Sequence, residues 1–162
     1  MSVLVRAVKA AWNEINTPET FRKGEVFQSY VRQHLFCKDE YIKLQKTPGY
    51  VENKGDFAEN TKEPDFKFMS ANGKTFFVEA KYRSRYFKGS IELCKPYQMR
   101  RFREIAKRTP IYVVIGVGGH STNPAEVFFL PFKKIQYSCL FPSFLRPYQV
   151  PANRPISENQ LV

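Results

Sequence analysis

In the stretch EPDFKFMSANGKTFFVEAK, residues 63 to 81, an apolar run of strand character ends in Glu79-Ala80-Lys81, and Pro64-Asp65 stands at the mouth of the run before it. Carboxylates at Asp65 and Glu79 would repel each other on a sheet unless a cation lay between them. Oxygen-only ligands with open positions suit Mg2+ or Mn2+, which keep waters and take phosphate oxygens as further ligands. Such an ion can polarise a phosphodiester and lower the pKa of its bound water. Lys81 would then orient that water or stabilise the extra negative charge of the transition state. The Ala80 backbone carbonyl is a further candidate ligand. The plainer alternative is a strand-end ion pair, Glu79 with Lys81 or Arg83, with Asp65 only starting a strand after proline. An isolated E-x-K carries little information; a P-D, one hairpin, an apolar run into E-x-K and a basic segment beyond it carry much more.

Alternate strand residues share a face. Phe77, Glu79 and Lys81 therefore lie together, with Phe76, Val78, Ala80 and Tyr82 on a good core face opposite. Whether Asp65 joins Glu79 depends on hairpin register. A two-residue Asn72-Gly73 turn pairs Ala71 with Lys74 and sets Asp65 opposite Ala80, turned away from Glu79. A three-residue loop, Ala71-Asn72-Gly73 with Gly73 left-handed, pairs Ser70 with Lys74 and sets Asp65 opposite Glu79. Local turn preference favours the first, and the chemistry needs the second or a bulge that restores it.

The elements that must hold these residues follow from periodicity and breakers. Leu4, Val8, Ala11, Trp12 and Ile15 predict a helix over residues 3 to 15. Thr17-Pro18 starts a second helix, with a core stripe of Phe27, Val31 and Leu35 and its regular part delayed by Gly24 to about Lys23. Tyr41 to Gln45 reads as a strand, and Thr47 to Lys62 as a long polar loop. Phe66 to Met69 and Thr75 to Tyr82 form the hairpin, and Arg83 to Ser90 a basic loop. Tyr97 to Arg108 is a helix begun after Pro96 and stopped by Thr109-Pro110. Ile111 to Val117, apolar and β-branched, suits a central strand covered on both faces, ended by Gly118-Gly119. Val127 to Leu130 is a last strand, and Phe132 to Ile135 a helical turn. This order describes an α/β fold, a mixed sheet flanked by helices. Residues 1 to 140 read as a single domain, and 141 to 162 as an irregular proline-rich segment packed on it or trailing from it.

A net charge of +11 on 162 residues points to an anionic partner, nucleic acid first. Residues 81 to 108 hold ten Lys and Arg against the acids Glu92 and Glu104, whereas the first 64 residues hold nine of the fifteen acids. Arg83-Ser84-Arg85-Tyr86-Phe87-Lys88 mixes cations with aromatics, which suits phosphate contact with base or sugar stacking. Arg83, Arg85, Lys88, Lys95 and Arg101 are the candidate contacts, although a solvated helix face accounts for part of the charge. No apolar run reaches membrane-spanning length. Cys37, Cys94 and Cys139 are odd in number and widely spaced, which argues for a reducing compartment and against a disulfide framework or zinc site. His34 and His120 lack spaced partners, and Gly116-Val117-Gly118-Gly119 precedes no helix that would make it a nucleotide fingerprint.

At these residues the sequence resembles the PD-(D/E)XK nuclease superfamily, of restriction-endonuclease-like fold. Pro64-Asp65 matches its PD element and Glu79-Ala80-Lys81 its (D/E)XK element. KGEVFQSYVRQHLF, residues 23 to 36, looks like the first helix of the archaeal Holliday-junction resolvases. PYQMRRFREIAKRTPIYVVIGV, residues 96 to 117, resembles the helix and strand after the E-x-K, where Gln98 matches a glutamine that often faces the site. VFFLPFKKI, residues 127 to 135, is similar to the closing strand and turn. The resemblance implies a mixed sheet of four to five strands and Mg2+- or Mn2+-dependent phosphodiester hydrolysis, with DNA favoured over RNA. It implies Asp65 and Glu79 as metal ligands, Lys81 as the catalytic lysine and Gln98 as an assisting residue. In one departure, Gln28 stands where the relatives carry a first-helix glutamate; Glu25, one turn earlier, is the candidate substitute. The rival reading is a DNA-binding module of the same fold that does not cut. A third is a subunit of a larger assembly, docked through residues 141 to 148. A cytoplasmic protein, and a homodimer as one assembly, complete the expectations.

Overall fold

The computed structural model describes residues 19–47 and 63–162; the helix expected over residues 3 to 15, its neighbour Thr17-Pro18 and the body of the loop at 48–62 lie outside the described residues. Helix α1 spans Glu19–Tyr30 and passes into a wider π turn at Val31–Leu35, closed by a bond from the Phe36 N–H to the Val31 carbonyl at 2.9 Å. It is regular from Glu19, so Gly24 delays nothing. An ion pair from Glu19 to Lys23 at 2.8 Å supports its first turn, where the helix dipole favours an acid. Phe27, Val31 and Leu35 are fully buried, as their spacing predicted.

Six strands form one mixed sheet in the order β1-β2-β3-β5-β6-β8. Strands β1 (Tyr41–Lys46), β2 (Phe66–Ser70) and β3 (Thr75–Arg83) are antiparallel neighbours. After β3 the chain makes a short strand β4 (Ile91–Glu92) and helix α2 (Pro96–Ala106), and returns as β5 (Ile111–His120) parallel to β3. Strand β6 (Asn123–Pro131) follows antiparallel, and β8 (Gln149–Val150) extends the edge. A small strand β7 (Cys139–Leu140) pairs with β4 in a separate ribbon. Gly118-Gly119 does not end β5: pairing continues through Gly119 with Pro124 and His120 with Asn123. The segment after Phe141 is only partly irregular. It includes a helical turn at Pro142–Leu145, and it buries Ile156 and Leu161 in the core. Among the described residues no helix is long and apolar enough to cross a membrane.

Each face of the sheet carries its own core. Phe27, Phe36, Phe68, Phe76, Val78 and Phe129 pack on the α1 side; Phe77, Met99, Phe102, Val113, Ile115 and Phe128 pack on the α2 side. The β2–β3 register follows from this. Phe66 pairs with Val78 and Phe68 with Phe76, so both β2 aromatics enter the α1-side core at 2% and 0% exposure. A one-residue slip would turn them onto the face of Glu79. Full burial of a phenylalanine is worth about 1.5–3 kcal/mol. The slip would move both rings from fully buried places to the face where Lys67 and Met69 are only half-buried, more than a turn preference local to two residues opposes. The core wins. The loop is therefore the three-residue one: Ser70 N–H donates to the Lys74 carbonyl at 2.9 Å, and Gly73 takes φ +78°, a conformation that favours glycine. Glu158 holds the loop from the C-terminal segment, accepting from Ser70 Oγ and Asn72 Nδ2, each at 2.6 Å.

Candidate active site

Strand β3 runs on past the end of β2, and the candidate residues gather where the two strands part. The ladder ends at Phe66 with Val78; carried one position further, its register sets Asp65, at the bend just before β2, opposite Glu79. One position further it sets Pro64 opposite Ala80, in the pair type whose members exchange both backbone hydrogen bonds. Proline has no N–H to give, so position 64 makes no donation to the Ala80 carbonyl. The Ala80 N–H is met instead by the side chain of Asp65, whose Oδ2 accepts it at 2.8 Å. Thr47, just past β1, fixes this corner: its hydroxyl donates to the Pro64 carbonyl at 2.7 Å and its N–H to the Asp65 carbonyl at 2.8 Å.

Asp65 is also reached from the α1 layer. Gln28 Nε2 donates to its Oδ1 at 3.0 Å. The close approach of α1 that allows this depends on Gly116 of β5, where a Cβ would lie 2.5 Å from the Phe27 ring. Burial, and then the neighbouring Glu79 charge, push the Asp65 carboxyl up to about 8, against the opposing pull of Lys81 and the Ala80 N–H.

Glu79 is 4% exposed and its Oε1 lies 2.9 Å from Lys81 Nζ. The strand-end ion pair is thus present, and Asp65 lies near enough for the Glu79 and Lys81 charges to act on it. Glu79 foremost raises Lys81 above the ordinary lysine range, so the side chain is an ammonium at neutral pH. With both carboxylates ionised, the three side chains carry one net negative charge in a site that disfavours it. A divalent cation would relieve that imbalance. Asp65, Glu79 and the Ala80 carbonyl could supply oxygen donors of the kind Mg2+ accepts while keeping waters. Among the described residues no three His, Cys, Asp or Glu side chains cluster as a metal site; the donor set is two carboxylates and neutral oxygens. Burial raises Cys94 to about 11, so its thiol is protonated and offers neither thiolate ligand nor nucleophile.

The other expected residues have partners of their own or are exposed. Glu25 is placed one turn before Gln28, and it is Gln28 that meets Asp65. Gln98 caps its own helix, its Oε1 accepting the Lys95 N–H at 3.3 Å, while Lys95 Nζ pairs with Glu92 at 2.9 Å. Arg101 is exposed on α2. The Arg83 guanidinium donates to the Tyr82 and Glu92 carbonyls at 3.0 and 2.7 Å, and its burial holds it below the ordinary arginine range. Arg85 and Lys88 are exposed beyond it. Sequence reasoning treated Gln28 as a loss, since a side-chain amide gives no sign of which layer it will bridge. It missed Thr47 altogether, for a threonine at a strand end looks like any other.

No family model matches the chain, and no curated protein matches it. Among solved structures, it is similar to Hjc, a Holliday junction resolvase from the archaeal hyperthermophile Archaeoglobus fulgidus, with a TM-score of 0.53 at 15% identity, over 79% of this chain and 90% of that one. The fold is the restriction-endonuclease-like one, with a sheet of six strands instead of four to five.

Proposed function

We propose that the protein is a Mg2+- or Mn2+-dependent nuclease that hydrolyses phosphodiester bonds in DNA. The observation that supports this reading is that Asp65 lies near enough to Glu79 and Lys81 at the β2–β3 fork for both charges to act on its carboxyl, with Lys81 Nζ 2.9 Å from Glu79. Asp65, Glu79 and the Ala80 carbonyl would hold the cation, which when bound supplies Lewis acidity toward a phosphate and acidifies a bound water. Gln28 orients Asp65 through its amide N–H. Lys81, kept protonated by Glu79, presents a fixed positive charge to the phosphate as negative charge builds in the transition state. Arg83, Arg85 and Lys88 draw the backbone toward that corner.

Cleavage of plasmid and branched DNA in Mg2+, against EDTA, tests this directly. Asp65→Ala and Lys81→Ala should abolish turnover and leave DNA binding within a few-fold of the parent. Unchanged cleavage by either variant rejects the site. The second reading, a DNA-binding module that does not cut, is favoured by one observation: the residue bonded to Asp65 from α1 is an amide, not a third carboxylate. Binding without metal-dependent cleavage would establish it.

A further inference from the structure

Beyond Lys81, β3 leads into a cavity of about 450 Å3 lined by Arg83, Arg85, Phe87, Lys88, Ile91 and Cys139 among others, a volume within the range of sites that hold one small ligand. Arg83 shares the strand face of Glu79 and Lys81 and lies two residues on, about 7 Å along the strand. That is on the order of one or two nucleotide steps from the proposed scissile position.

The outer wall is not a loose loop. Phe87 and Ser90 exchange both backbone hydrogen bonds, at 2.9 and 3.1 Å, around Lys88 and Gly89 with φ of +49° and +77°. Positive φ at both central residues is the type I′ hairpin turn, whose twist suits a tight projecting ribbon. Its base is tied back by Tyr86, whose hydroxyl donates to Glu126 at 3.4 Å. At the tip Phe87 is 69% exposed, with Lys88 Nζ 5.6 Å from its ring centroid. An exposed aromatic on a fixed ribbon does no work for the core. Here it pairs a π-face with an ammonium at the mouth of a cationic cavity. The Arg83 guanidinium donates to two carbonyl oxygens, with the Glu92 and Glu79 charges also acting on it. Glu92, the one acid in the described lining, is itself paired with Lys95, and the exposed Arg85 and Lys88 keep the mouth cationic.

We propose that this cavity seats an unpaired nucleobase of the strand to be cut, stacked on Phe87, with Arg85 and Lys88 on the flanking phosphates. The protein therefore prefers DNA carrying an unstacked nucleotide beside the scissile bond over continuous duplex. Stacking on one aromatic is sequence-tolerant, because every base has a π-face, and paired bases within a duplex cannot offer that face. This names the substrate class for the nuclease proposed above and rests on that reading.

The test is binding in EDTA, by fluorescence anisotropy, of a labelled duplex with one unpaired nucleotide and of its fully paired counterpart. The parent should favour the first by about 5- to 150-fold, the span of one base stacked on one aromatic. Phe87→Ala should abolish that preference, and Phe87→Trp should keep it. Arg85→Ala and Lys88→Ala should weaken both DNAs alike and each reduce the salt slope by about 1. Equal affinity for the two DNAs, or a Phe87→Ala loss shared equally by both, overturns the proposal. Metal-dependent cleavage without any preference overturns the pocket alone, whereas preference without cleavage overturns the nuclease reading and leaves the pocket standing.

Discussion

Gln28 and Asp65 lie 37 positions apart and meet at 3.0 Å, amide nitrogen to carboxylate oxygen, across the fork between β2 and β3. The contact joins the α1 layer to the sheet and sets the direction of a carboxyl that would otherwise face only the backbone of Ala80.

If that corner holds the proposed cation, changing Gln28 acts on it more than on the fold. Gln28→Ala removes one donor to Asp65, worth about 0.5–1.5 kcal/mol while the carboxyl is neutral and about 1.5–3 kcal/mol once it is ionised, and should weaken the stabilisation by Mg2+. Gln28→Glu adds a third carboxylate. It should melt lower than the parent in EDTA and gain more from Mg2+, since binding to the folded state alone raises stability by mass action. Thermal unfolding with and without Mg2+ reads both. A glutamate variant indifferent to Mg2+ would remove Gln28 from the corner.

Stability of the metal-free protein should fall as pH rises toward the folded-state value of Asp65. An unfolded aspartate titrates near about 3.9, whereas in the fold burial and Glu79 push this carboxyl up to about 8. The folded chain thus holds an extra proton between those values. The contribution is complete below about pH 4 and is lost as pH passes through about 8. Melting temperatures in EDTA from pH 5 to 9 should decline, and Asp65→Asn should flatten the curve. Added Mg2+ should stabilise increasingly over the same interval, because it competes with that proton. Identical slopes for parent and Asp65→Asn would place the titrating group elsewhere.

Glu158 holds the loop that accompanies the active register. Glu158→Ala removes two bonds to a charged acceptor, each about 1.5–3 kcal/mol, and Gly73→Ala places a side chain at φ +78°, at about 1–2 kcal/mol. Both should lower the denaturation midpoint. Each should reduce cleavage more than DNA binding, because Arg85 and Lys88 lie on a separate ribbon. Equal losses in both assays would make the loop a stability feature only.

Gly116→Ala should drive α1 off the sheet. The added Cβ would stand 2.5 Å from the Phe27 ring, and overpacking of this kind costs about 1–3 kcal/mol. Phe27→Leu in the same chain should restore part of the stability, measured by urea unfolding. A fully additive double variant would deny the contact.

The apolar run into Glu79-Ala80-Lys81 and the alternation that places Glu79 with Lys81 needed no tertiary information, since a strand has period two whatever surrounds it. The α1 stripe of Phe27, Val31 and Leu35 was equally readable. Lys95 and Gln98 were not. Their spacing suits a helix face toward the site, but three residues apart at an N-terminus is also the spacing of a cap, and the cap is where the backbone uses them.

From sequence alone came the elements, the charge and the two candidate carboxylates, because local periodicity and residue type carry that information. The register that sets Asp65 against Glu79, and the choice of Gln28 to meet it, belonged to the tertiary structure. Asn72-Gly73 favours one turn and the burial of Phe66 and Phe68 the other, and a core contact between distant residues outweighs a preference local to two.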